Sequence, residues 1–250
     1  MAIALTMVVL GMLLGFVGAG GSGFIIAILT VLYHVPIHTA LGTSLAAMVF
    51  TTMSGALSHF RQGNISVKTG VLVGAFGAGA SYLGSKLAGL IPVQSMHWLT
   101  GGMLFLSAVI LVVRLFIVQK INANHTTELQ GKGLLIKKAA VVGIVTGLLS
   151  GTFGIGSAPF IQIGLLVIMG LSLQQSVGTT MLVILPIAIA GGVGYYFQGF
   201  LDFALLFEVV AGTIIGSYVG AKFTALAPQP LLKSAMVLTP IAAGVILFIS

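Results

Sequence analysis

Two short stretches of this chain combine residues that release a helical backbone with hydroxyls that can bind: Gly18-Ala19-Gly20-Gly21-Ser22-Gly23 and Gly154-Ile155-Gly156-Ser157-Ala158-Pro159. Both lie inside long apolar runs. Each glycine weakens a helix by about 1 kcal/mol, and Pro159 has no N–H to contribute to one. Where such a run crosses a bilayer, the freed amides find no partner in lipid, so a break must be buried in protein or line a polar cavity. A half-helix that restarts near Phe24 or Phe160 presents free N–H groups and the positive end of its dipole, which suits an anion. Gly18, Gly20, Gly21, Gly154 and Gly156 are therefore candidates for lining a substrate cavity, with Ser22 and Ser157 as hydroxyl donors.

Further polar groups lie close in sequence. Thr43-Ser44 and Thr179-Thr180 stand early in the next apolar segment after each break, where hydroxyls cap a helix or donate to the oxygens of an anion. Lys86 and Lys222 each follow a Ser-Tyr pair at the same distance, and two cations suit an oxyanion, although snorkelling to the interface is the simpler account of both. Glu208 sits within an apolar run, and a carboxylate there is a candidate for proton coupling or for pairing with a lysine.

Other chemistries find little footing. Gly18 to Gly23 satisfies a dinucleotide pattern, but it follows an apolar helix rather than a strand, and no acidic residue stands about 20 positions on. The absence of cysteine removes disulfides, thiolate metal sites and iron–sulfur clusters, and no cofactor or metal is expected. There is no His-Glu-x-x-His pair, Gly-x-Ser-x-Gly elbow or carboxylate dyad, so an enzyme is not expected.

The elements that must position these residues are membrane helices. Hydrophobic residues make up 58% of the chain and charged ones 5%, and the mean hydropathy is +1.21. Apolar runs long enough to cross about 30 Å of hydrocarbon lie near 3–33, 39–60, 68–90, 96–118, 138–169, 175–197, 202–226 and 231–249. The last four repeat the first four. A constant shift of 136 positions carries Gly18 onto Gly154, Gly42-Thr43 onto Gly178-Thr179, Gln62-Gly63 onto Gln198-Gly199 and Ser81-Tyr82 onto Ser217-Tyr218. Gly11-x-x-x-Gly15 and its copy Gly147-x-x-x-Gly151 read as close-packing ridges. The sequence thus predicts an all-α polytopic membrane protein of two pseudo-symmetric repeats, 1–118 and 137–250, with a polar linker over 119–136 and a glycine-broken first helix in each repeat.

Charge placement bears on topology. If the first segment of each repeat crosses, Lys86, Lys222 and Lys233 fall opposite the other basic residues; if it turns back, the repeats are inverted and Lys86 alone is left opposite. The inverted arrangement obeys the positive-inside rule better. The net charge of +7 is accounted for in this way, and a nucleic-acid partner is not expected.

The duplicated unit, the Gly15-Phe16-Val17-Gly18-Ala19-Gly20-Gly21-Ser22-Gly23 break, and the Ala40-Leu41-Gly42-Thr43-Ser44 and Gln62-Gly63 motifs resemble the TauE/SafE family of sulfite and organosulfonate exporters. The resemblance covers nearly the whole chain. It implies a multi-pass carrier of the bacterial or archaeal inner membrane for small sulfur-containing anions such as sulfite, sulfoacetate or another sulfonate, exporting by alternating access and coupled to protons. A passive anion channel or a membrane subunit of a larger complex is the alternative. Beyond the anion and membrane lipid no partner is implied, and a homo-oligomer is left open.

Overall fold

In a computed structural model, the described residues are 2–17, 22–121, 132–224 and 229–249, and among them every regular element is helical. The helices are α1 (Ala2–Val17), α2 (Ser22–Val31), α3 (Ile37–Arg61), α4 (Val67–Ala88), α5 (Val93–Ile121), α6 (Lys132–Phe153), α7 (Ala158–Ile163), α8 (Leu173–Phe197), α9 (Phe203–Thr224) and α10 (Gln229–Ile249). A π-helical turn, Gly164–Ile168, continues α7. Helix therefore extends into both ends of the expected linker. The shift of 136 maps α3 onto α8 and α4 onto α9 end for end, and it carries Val17, the last described residue of α1, and Ser22, the first of α2, onto Phe153 and Ala158, which end α6 and open α7.

Among the described residues, four helical stretches are long and apolar enough to cross a membrane: Ile37–Arg61, Val93–Val113, Gly133–Phe153 and Gln174–Phe197. Large apolar side chains such as Leu5, Val71 and Phe207 remain exposed, as a lipid-facing surface requires. At 25 residues, α3 and α8 measure about 37 Å and can traverse a bilayer at a tilt, whereas α2, at 10, reaches only about 15 Å. After its break the chain turns back. Thr6 near the start of α1 and Tyr33 just beyond α2 share a hydrogen bond of 2.5 Å between their hydroxyls. In the second half, a Cβ at Gly164 would lie 2.7 Å from Val142 of α6, so that segment returns as well.

The two sets of helices exchange partners. α1 packs chiefly on α9, and its counterpart α6 on α4. The ridges expected from sequence are the contact points: a Cβ at Gly11 would stand 2.8 Å from the carbonyl oxygen of Thr213, while Gly147 and Gly151 lie against the backbone of Gly77 and Ser81. Only glycine permits that approach, and without water between helices such close packing is a main source of cohesion.

α3 and α8 form the centre and run antiparallel. Gly42 meets Tyr195, Gly191 meets Leu45, Gly55 meets Met181 and Gly178 meets His59, so the residue number rises along one helix as it falls along the other. α5 and α10 are antiparallel too, with Gly101 against Phe248 and Gly244 against Phe105. Leu41, Leu45, Ile184, Ile187 and Tyr195 are fully buried around the α3–α8 crossing. One end of the bundle gathers Ile3, Tyr33 to Pro36, Gly199 and Asp202 around an open cleft of about 530 Å³. At the other end, the amide of Ser66 donates to Thr179 Oγ1 at 3.0 Å, and Lys68, Lys137 and Arg61 are exposed.

Candidate functional site

The second break is built from left-handed backbone. Gly154, Gly156 and Ser157 have φ of 64°, 63° and 48°, so three of four successive residues leave the helical region before Pro159 restarts the chain. For Ser157 this conformation carries strain, since Cβ crowds the following carbonyl there. The loop lies on the first half of α3: a Cβ at Gly154 would stand 3.0 Å from the Cα of Leu41, and one at Gly156 would run into the end of Met48.

The second break meets the start of α2. From Gly156 a Cβ would stand 3.8 Å from Ser22 Oγ, at the start of α2. Ser22 and Ser157 are each 1% exposed, and neither hydroxyl has a hydrogen-bond partner among the described residues. A buried polar group left unmade costs about 1–3 kcal/mol, and these two hydroxyls beside the second break can each hydrogen-bond a polar ligand. The start of α2 is anchored from α3, where Ser44 Oγ donates to the carbonyl oxygen of Ser22 at 3.1 Å.

The four hydroxyls expected to act alike do not. Thr43, Ser44, Thr179 and Thr180 are all fully buried, but Thr179 Oγ1 accepts the Ser66 amide, Thr180 Oγ1 donates to the Ser176 carbonyl at 2.6 Å, and Thr43 Oγ1 has no partner. Gly154, Gly156, Ser157, Ser22 and Ser44 thus come together, with Thr43 adjacent to Ser44 on α3. Gly18, Gly20, Gly21 and the side chain of Lys222 lie outside the described residues. Lys86 is not drawn in. It is exposed at the end of α4, with Nζ 4.8 Å from the centre of the Tyr82 ring. Glu208 is half-buried in the second turn of α9.

Sequence reasoning passed over other buried polar groups. Gln162 Oε1 on α7, Thr100 Oγ1 on α5, and the hydroxyls of Ser81 and Ser150 are buried without partners. Ser150 lies within the repeated Gly147-x-x-x-Gly151 ridge and Ser81 opens the repeated Ser81-Tyr82 pair, and both motifs read equally as helix packing. The Gln-Gly motif has a structural role: Gln198 Nε2 donates to the carbonyl oxygens of Ser85 and Gly194, each at 3.0 Å, while Gly199 takes the left-handed φ of 75° that ends α8.

Comparison with known proteins places the chain among membrane transporters. The family "Sulfite exporter TauE/SafE" matches residues 3–247. A "Probable membrane transporter protein YdhB" of Bacillus subtilis is 56% identical over 248 residues, covering 99% of each chain. Another from that organism, YjnA, is 28% identical over 88% of this chain and 89% of its own. A "Probable membrane transporter protein" of Xylella fastidiosa is 27% identical over 84% of this chain and 79% of its own. No solved structure matches the chain significantly.

Proposed function

This chain belongs to the sulfite exporter TauE/SafE family of multi-pass membrane transporters, and from that premise we propose that it moves a small sulfur-containing anion, sulfite, sulfoacetate or another small sulfonate, out across the inner membrane by alternating access. The observation that carries this reading is the meeting of the second break with the start of α2, with Gly156 opposite Ser22 and the hydroxyls of Ser22 and Ser157 buried and, among the described residues, unpartnered. Hydroxyls and the N-terminal amides of α2 offer the hydrogen-bond donors that an oxyanion needs. Gly18, Gly20 and Gly21 complete the first break, and Thr43 supplies a further hydroxyl from α3.

The repeats are inverted in this reading, with six spans and a re-entrant hairpin in each half. The antiparallel packing of the counterparts α3 and α8, and of α5 and α10, supports it, because helices related by an axis in the membrane plane cross in opposite directions. The return of Tyr33 to Thr6 supports the hairpin. By the positive-inside rule, the end bearing Arg61, Lys68 and Lys137 faces the cytoplasm. Glu208, which has no acidic counterpart in the first half, is the proton-coupling group.

The test is uptake of labelled sulfite and small sulfonates into proteoliposomes under an imposed pH gradient. Saturable, gradient-dependent uptake with counterflow is expected. Linear, non-saturable flux would replace the carrier with a channel, and no flux of any tested anion would favour a subunit of a larger complex.

A further inference from the structure

At four places among the described residues the chain leaves a helical segment through one left-handed residue, and the next amide bonds back across it. Three of them are glycine. Gly63, Gly170 and Gly199 take φ of 72°, 71° and 75°, and the amides of Asn64, Leu171 and Phe200 donate to the carbonyls of His59, Leu165 and Tyr195 at 3.0 Å. The fourth is His34, with φ of 52°, across which the Val35 amide donates to the Leu29 carbonyl at 2.9 Å. The shift of 136 sets His34 on Gly170. A Cβ in this conformation crowds the following carbonyl, a strain that glycine avoids. The first half thus keeps an imidazole where the backbone alone would select glycine, and since His34 is exposed, burial does not account for it. Backbone strain of this kind collects where a side chain has work to do.

The imidazole lines the open cleft, with Tyr33, Thr39, Gly199, Leu201 and Asp202 around it. Several polar groups there are already engaged. The Tyr33 hydroxyl shares its hydrogen bond with Thr6. Asp202 Oδ1 accepts the amides of Ala204 and Leu205 at 2.8 and 3.1 Å, which ties the carboxylate to the positive end of α9. Lys86, beyond which α4 ends, lies over the Tyr82 ring and does not line the cleft. The His34 ring and the Thr39 hydroxyl are the donors left to meet a solute. A single short element connects them to the site described above: α2, about 15 Å long, begins at the buried hydroxyl of Ser22 and ends three residues before His34.

We propose that this cleft is the outer mouth of the anion's path and that His34 binds the anion there, its ring N–H donating to an oxygen of a small sulfonate or sulfite. An imidazole carries at least one N–H in either protonation state and a positive charge in one of them. The proposal rests on the transport reading above and adds a second, outer site to it.

His34→Gly suits the backbone and so removes the ring alone. The melting temperature in detergent is expected to stay or rise. Exchange of labelled sulfoacetate is then measured from each face, in intact cells and in inverted vesicles. Half-saturation is expected to rise about tenfold at the face from which a cysteine at Leu201 is labelled, and to hold at the other. No change at either face, or an equal rise at both, overturns the proposal. A lower melting temperature would make the ring structural, and loss of gradient-driven accumulation with half-saturation intact would make it a proton carrier; either result overturns it too.

A second measurement needs no transport. Thr39→Cys places a lone thiol in the cleft of a chain that has no cysteine of its own. Its reaction with a small anionic thiol reagent is expected to slow several-fold when His34→Gly is added, while a neutral reagent of the same size reacts as before. Equal slowing of both reagents, slowing of neither, or a thiol that neither reaches overturns the proposal. If the wild-type protein moves no sulfur anion yet the anionic reagent keeps its advantage, the substrate reading falls and the anion-binding mouth stands.

Discussion

Gly156 and Ser22, 134 positions apart in sequence, face each other where the second break meets the start of α2, with 3.8 Å between the place of a Cβ on the one and the hydroxyl oxygen of the other. That hydroxyl has no partner among the described residues. Ser22→Ala and Ser157→Ala are therefore expected to leave thermal stability unchanged or raised, because each removes an unsatisfied polar group. Half-saturation for sulfite should rise about ten- to a hundredfold, the worth of a hydrogen bond to a charged ligand. Melting curves and uptake on the same preparations check both; a fall in stability with unchanged uptake would make the serines structural.

The ridge of α6 admits no side chain. Gly151→Val is expected to cost about 1–3 kcal/mol or more through overpacking against Ser81 of α4. Gly79→Ala, which meets nothing within 4 Å, should be neutral or stabilising by up to about 1 kcal/mol. Thermal melts in detergent distinguish them.

These ridges also show how far the sequence could be read. Gly11, Gly147 and Gly151 announce a close approach, and the shift of 136 announces matched helices, because both are local patterns. Nothing local tells α1 that its neighbour is α9. The hydroxyls show the same limit: Thr43 and Thr179 occupy equivalent places, yet the Ser66 amide claims one and not the other, and that partner lies 113 residues away. Symmetry makes Lys86 a candidate ligand and snorkelling is the simpler account of it, and its placement beside Tyr82 at the helix end follows from where α4 stops.

Glu208→Gln is expected to abolish accumulation driven by a pH gradient while leaving exchange of labelled for unlabelled sulfite in place. Counterflow in proteoliposomes with and without a gradient measures the split. Loss of both would assign Glu208 to folding or binding, and loss of neither would exclude it from coupling.

Topology has a direct test in the cysteine-free background. Single cysteines at Gln62 and Lys137 are expected to react with an impermeant thiol reagent only from the cytoplasmic side, and cysteines at Leu201 and Lys86 only from the outside. Labelling of intact cells against inverted vesicles decides it. Reaction of the Leu201 cysteine from the same side as those at Gln62 and Lys137 would refute inversion.

The exchange of partners between halves bears on how the protein is made. During synthesis α1 enters the membrane about 200 residues before α9 exists, so its glycine face has no lasting companion until the chain is nearly finished, and such distant pairing slows assembly. Neither half is then a self-sufficient folding unit: each produced alone would lack the helix that covers its first one, and the two together, as separate polypeptides, would hold what the single chain holds. The intact protein is in effect a dimer whose subunits are tethered, in which neither matures before the other.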